Sequence, residues 1–204
     1  MTDQSVSAKR AMILDAGRTV FSRDGFEASS VEDVAAEAGI AKGTVYLYFK
    51  SKEELYLAVL LRDIKAYAAN SRARMEQAPT LRDKIEAYFR ARMEYGRANK
   101  DFLRIYLTEY AGMCAIKPIS QEMRTLQLDN LKHLTGLIKT AIRRGEIRRV
   151  PPAALAAKVS DIARGLMERQ LLGWKEFQVK NEVAFAADLL WHGVSPQDRT
   201  PRNT

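Results

Sequence analysis

Residues 29–52 read SSVEDVAAEAGIAKGTVYLYFKSK, and their pattern decides the fold. Val31, Val34, Ala35 and Ala38 recur at helical spacing and give one short helix a buried face. Ser30 precedes that run and Asp33 follows three residues later, an acidic variant of the capping box. Gly39 stops the helix, because glycine reverses a chain without a Cβ clash. A second short helix is expected over residues 42–49. The turn between them, Ala38-Gly39-Ile40-Ala41, has the length and the glycine of a helix-turn-helix. Ile40 is apolar, as suits a plug in the angle between two helices. Val34, Ala35, Val45 and Phe49 are expected to lock the pair.

Helical periodicity continues on both sides. Before the motif, Ile13, Ala16, Gly17, Val20 and Phe21 form the inward stripe of a helix over residues 6–24, ended by Asp24-Gly25. After it, Ser51 caps a long fourth helix that stops before Pro79, with Glu53 and Glu54 in its first turn, where the helix dipole favours negative charge. Thr80 caps a fifth helix, to residue 98. Further helices are expected over residues 101–114 and 119–144, from Pro151-Pro152 to residue 173, and over 176–193. Strand alternation and hairpin signals are nearly absent. The fold expected is all-α, with about nine helices and a polar, frayed tail over residues 195–204.

Composition narrows the function. The chain has 204 residues, 47% hydrophobic and 28% charged, a profile that supports a sizeable core. Cys114 is the single cysteine, so an internal disulfide and any multi-cysteine metal site are excluded. His133 and His192 are the only histidines. No catalytic constellation, metal site or cofactor motif stands out. The run from Gly39 to Thr44 superficially suggests a phosphate loop, but its Lys precedes the second Gly and no strand leads into it. No apolar run approaches a membrane span and the start lacks a signal peptide, so a cytoplasmic protein without membrane contact is expected.

Charge is informative only locally. Residues 1–62 carry 8 Lys and Arg against 9 Asp and Glu, net −1, and the remainder is net +9. Within the motif, however, Lys42, Lys50 and Lys52 face no acidic residue between positions 42 and 52. The second helix of the pair crowds Lys42, Gly43, Thr44, Tyr46, Leu47 and Tyr48 into about two turns. A major groove about 12 Å wide accepts such a helix. Hydroxyls of Thr44, Tyr46 and Tyr48 can donate to phosphates, and Gly43 permits close backbone approach.

Residues 9–62 resemble the DNA-binding domain of the tetracycline-repressor (TetR) family. The matching string is VEDVAAEAGIAKGTVYLYFKSKEELYLAV, with the Gly43–Phe49 and Ser51–Glu53 cores, preceded by Phe21-Ser22-Arg23-Asp24-Gly25-Phe26. The resemblance implies a three-helix helix-turn-helix domain over residues 1–54 and a larger helical ligand-binding and dimerisation bundle over 55–194. It implies a homodimeric repressor on palindromic double-stranded operator DNA, released by a small-molecule effector. Carried over by position, Ser30 and Lys52 would hold phosphates. Lys42, Gly43 and Thr44 would open the recognition helix, and Tyr46, Leu47 and Tyr48 would complete its DNA face. Two positions depart from the pattern. Ala41 stands where many members have Ser or Thr, and Glu32 where some read a base with Arg.

The later helices carry the remaining expectations. Phe102, Tyr106, Tyr110, Met113, Met167, Leu171, Trp174 and Phe177 supply large, adaptable side chains, read either as plain core or as lining for a largely apolar effector. Arg143, Arg144, Arg148 and Arg149 read as a solvated loop or as a contact to an anionic group. Leu155, Val159, Ile162, Leu166 and Met167 form one stripe, and Val183, Phe185, Ala186, Leu189 and Leu190 another, with Leu155, Val159, Ile162, Leu166, Val183, Ala186 and Leu190 the residues expected at the contact. Both are expected to pack about a two-fold axis. A regulator without ligand control stays open as an alternative, as does the sign of regulation. An enzyme built on the bundle has almost no sequence support.

Overall fold

Eight helices make up the regular structure of the described residues in the computed structural model, which describes residues 3–100, 103, 117–174 and 180–195. They are α1 (Asp3–Asp24), α2 (Val31–Glu37), α3 (Lys42–Tyr46), α4 (Lys52–Gln77), α5 (Leu81–Ala98), α6 (Lys117–Arg143), α7 (Pro152–Leu172) and α8 (Glu182–Val194). The helix expected over 101–114, with Cys114, lies outside the described residues apart from helical Leu103. So does the tail beyond Ser195.

The chain divides into two compact units, one of residues 1–66 with 99–124 and one of 67–98 with 125–204. Each takes part of α4 and of α6.

The first unit is built around the stripe of α1. Ile13, Val20 and Phe21 are fully buried, as are Leu55, Tyr56 and Val59 of α4. Phe21, Phe26 and Tyr56 meet edge to face, with ring centroids 5.1 and 5.2 Å from Tyr56, a geometry that adds to area burial. Arg18 pairs with Asp63 at 2.6 Å and Arg62 with Asp15 at 2.7 Å, tying α1 to α4.

The second unit has its own core, in which Ile85, Phe89, Leu134, Ile138, Val159, Ala163 and Leu166 are buried together. Its ends are closed by side chains that satisfy terminal carbonyls. Lys84 Nζ donates to the carbonyls of Met75 and Ala78 past the end of α4, at 2.8 and 2.5 Å. Arg148 donates from Nε to Gly193 O and from its amide to Val194 O, each at 2.9 Å. Arg144 approaches Glu146 at 3.8 Å and Arg143 reaches Thr140. At Gly96 an added Cβ would stand 2.8 Å from Met167 Cγ, so glycine sets how closely α5 and α7 approach.

Several expected boundaries shift, α1 starting at Asp3 rather than at residue 6. α3 ends at Tyr46 rather than at residue 49, because the amides of Tyr48 and Phe49 both converge on Val45 O and turn Phe49 into the core. α8 starts at Glu182, since Asn181 accepts from the Ala184 amide at 3.2 Å and caps the helix there.

Candidate nucleic-acid interface

Ser30 starts the site. Its hydroxyl accepts from the Asp33 amide at 3.1 Å, and the Asp33 carboxylate accepts from the Ser30 amide at 2.8 Å, so the expected capping box is complete. The Ser30 hydroxyl also donates to that carboxylate at 2.6 Å. Its capacity is therefore engaged inside the cap rather than left for a phosphate. Gly39 follows at φ +65°, the left-handed conformation that the tight turn demands and that glycine adopts freely. The Ile40 amide closes the turn on Ala35 O at 2.9 Å. Val34, Ala35, Val45 and Phe49, the residues expected to lock α2 to α3, are all buried, as is Val31.

The outward face of α3 is apolar and aromatic for a surface helix. Leu47 is 83% exposed and Tyr46 is 44% exposed. Leu47 and Tyr46 therefore stand side by side in solvent on the outer face of the motif. Gly43 is open, with nothing within 4 Å of an added Cβ. Thr44 and Tyr48 are half-buried at the edges of this face. Ala41 supplies no side-chain cap, so the first amides of α3 lack a side-chain partner.

The three lysines of the motif take different roles. Lys42 reaches back from α3 to pair with Glu32 of α2 and stands 5.7 Å over the Tyr46 ring. Their hydrogen bond raises the Lys42 pKa and lowers that of Glu32. Glu32, ten residues earlier, thus neutralises part of the local positive charge. Lys52 is a structural clamp. Its ammonium donates to Phe26 O at 2.7 Å and Ser29 O at 3.0 Å, lies 3.4 Å from Glu27 O, and sits 4.3 Å over the Phe26 ring. Three carbonyls saturate three donors. Lys52 therefore fixes the loop that delivers Ser30, where the resemblance implied a phosphate contact. Lys50 remains exposed.

The chain belongs to the TetR family of bacterial regulatory proteins. The family model described as bacterial regulatory proteins, tetR family, matches residues 13–59, the segment just built. The HTH-type transcriptional regulator RutR of Escherichia coli strain K12 is 31% identical over 153 residues, covering 74% of this chain and 70% of that protein. Among solved structures, a TetR family transcription regulator from Marinobacter aquaeolei VT8 aligns with a TM-score of 0.65 at 21% identity, covering 96% of this chain and all of that one. The regulator FadR from Bacillus subtilis, in complex with stearoyl-CoA, aligns with a TM-score of 0.67 at 18% identity over 89% of this chain and 95% of that one. At such identities the structural matches speak for the fold.

Elsewhere in this TetR-family chain the expected residues separate. Of the apolar set considered for an effector, Met167 and Leu171 are buried on α7 and Trp174 is half exposed. Phe102, Tyr106, Tyr110, Met113 and Phe177 lie outside the described residues. A cleft of about 440 Å³ opens in the first unit between α1 and α4, beside Leu14, Phe49 and Leu61, but its Arg62 and Lys65 are already paired with Asp15 and Glu122.

The stripe expected at a dimer contact is largely a core stripe. Leu155, Val159, Leu166 and Val183 are buried in the second unit's own core, and Ile162, Ala186 and Leu190 pack against it. The apolar residues that α8 turns to solvent are Phe185, 58% exposed, and Leu189, 66% exposed, one turn apart. The stripe expected on α8 thus splits, Val183, Ala186 and Leu190 inward and Phe185 and Leu189 outward, a division that periodicity alone does not make. No helix of the described residues is long and apolar enough to cross a membrane.

Proposed function

We propose that this TetR-family regulator is a ligand-responsive repressor that reads palindromic double-stranded operator DNA as a homodimer. The observation that carries the reading is the solvent-facing helix α3, which offers Gly43, Thr44, Tyr46 and Leu47 on a rigid, capped helix-turn-helix. Gly43 and the Thr44 hydroxyl approach the backbone, while Tyr46 and Leu47 suit apolar contact with thymine methyls in the major groove. Tyr48 contacts a phosphate from the edge. Lys42 joins them when DNA phosphates compete with Glu32 for its ammonium.

The homodimer forms through the exposed face of α8. Phe185 and Leu189 meet their symmetry mates across a two-fold axis, as an isologous contact requires. Two recognition helices then face major grooves about 34–36 Å apart. A small molecule in the helical bundle binds the DNA-incompetent state more tightly and so shifts the equilibrium away from the operator.

The test is a selection from random duplexes with the full chain, followed by fluorescence anisotropy on the winning duplex and a scrambled control at two salt concentrations. An enriched inverted repeat, bound selectively and more weakly at high salt, is expected. Recovery of no common sequence, with equal binding to both duplexes, overturns the reading.

A further inference from the structure

The second unit contains a cluster of buried polar side chains with no acceptor beyond one another among the described residues. Tyr67 and Ser71 stand one turn apart on α4, and the Arg92 guanidinium of α5 lies 5.4 Å from the Tyr67 ring centroid. Tyr67 Oη, Ser71 Oγ and Arg92 Nε are shielded from solvent, and none has a hydrogen-bond partner among the described residues. Ser71 as a whole is 2% exposed. Buried polar groups are nearly always paired, so three together call for a reason.

Neighbouring groups show that the unit satisfies such atoms elsewhere. Tyr88, one turn before Arg92, has its hydroxyl bonded by Asn130 Nδ2 at 3.1 Å. Arg90 and Arg74 pair with Glu86 and Glu94. Arg92 has no carboxylate partner among the described residues. The Tyr95 ring packs on Tyr67 with centroids 4.7 Å apart and holds the phenol in place. Burial pushes the Tyr67 hydroxyl above its usual range, so the group keeps its proton as a donor, and Arg92 and Ser71 are close enough to act on it.

We propose that Tyr67, Ser71 and Arg92 are the polar end of the effector site, and that the effector is a monocarboxylic acid whose carboxylate docks on these three donors. This rests on the reading that the regulator responds to a small molecule. An ionised carboxylate is acceptor-only and has lone pairs for all three. Arg92 supplies the single formal positive charge of the group. A carboxylate neutralises it, whereas a phosphate monoester dianion leaves a surplus buried charge, which is costly.

The probes are the straight-chain acids from butanoate to dodecanoate and benzoate, each beside its primary amide and an alkyl or phenyl phosphate of matched size. Thermal unfolding of the full-length protein is read without DNA, because a ligand of the native state raises Tm. Acids are expected to raise Tm where amides and phosphates do not. Arg92→Gln is expected to weaken binding of the best acid about tenfold to a hundredfold, the range for hydrogen bonds to a charged group, and Tyr67→Phe to weaken it less. The ligand-free Tm of Tyr67→Phe should stay close to that of the parent, since its hydroxyl meets only Ser71 and Arg92 and makes no well-aligned hydrogen bond among the described residues. No Tm rise with any acid, equal effects of acids and amides, stronger effects of phosphates, or full binding in Arg92→Gln overturns the proposal. Operator binding is titrated separately without acid, so failure of the carboxylate site and failure of the repressor reading give different results.

Discussion

The helix-turn-helix and the helical bundle follow different rules within one chain. In the first, short-range contacts do most of the work: Ser30 bonds Asp33, Gly39 turns the chain, and the Ile40 amide closes on Ala35 O. Its outward residues Tyr46 and Leu47 face solvent. In the bundle, the decisive contacts join residues far apart, as when Arg148 bonds Gly193 or Gly96 admits Met167. There an apolar stripe belongs to the core or to the surface according to which neighbour reaches it. The comparison teaches that one helical periodicity has different readability in the two regions. A short motif names its own inner face, and a bundle helix with apolar residues on two sides does not.

The largest effect should separate the two stripes of the bundle. Leu166→Glu places a carboxylate in a closed core, and an unpaired buried charge is among the costliest changes. Loss of cooperative unfolding by circular dichroism is expected. Leu189→Glu changes an exposed residue, and a folded protein of halved mass by light scattering is expected. If Leu166→Glu gave a folded protein of halved mass while Leu189→Glu stayed dimeric, the assignment of the stripes would be reversed.

Next in size is Lys52→Met. Loss of its carbonyl bonds and ring contact should cost about 1–3 kcal/mol, read from denaturant midpoints. Its operator salt slope should match the parent's, whereas removal of a phosphate contact lowers the slope by about one. Ser30→Ala removes one capping side chain and should cost about 1 kcal/mol. Leu47→Ala should be the mildest, within about 0.5 kcal/mol of the parent in stability. Its expected consequence is functional: discrimination between operator and scrambled duplex falls while the Tm holds.

Much of the first region is legible in the sequence. The capping box at Ser30, the turn at Gly39 and the buried set of α1 to α3 all follow from spacing, because each partner lies within one or two helical turns along the chain. The exposed face of α3 was legible for the same reason. Lys52 was not. Its three carbonyl partners lie 23 to 26 residues earlier, and only the path of the loop after α1 brings them to the start of α4. The pairing of Lys42 with Glu32 was also hidden, since it needs the angle between two helices as well as their register.

The bundle reverses the balance. Helix starts at Thr80 and Pro152 and stops near Arg143 and Gly173 carry local signatures, and they fall where the residues imply. The later start of α8 depended on Asn181 bonding Ala184.

The sequence by itself determined the helical class, the helix-turn-helix, its inner residues and the family to which the chain belongs, because capping, turn chemistry and short-range periodicity act within a few residues. Tertiary structure alone decided that Leu155, Val159 and Leu166 are core while Phe185 and Leu189 face solvent. It also turned Lys52 into a clamp and gathered Tyr67, Ser71 and Arg92 as buried donors. These outcomes depend on which distant helix supplies the neighbouring atoms. Burial and hydrogen-bond satisfaction are properties of that neighbourhood, not of the residue or its local pattern.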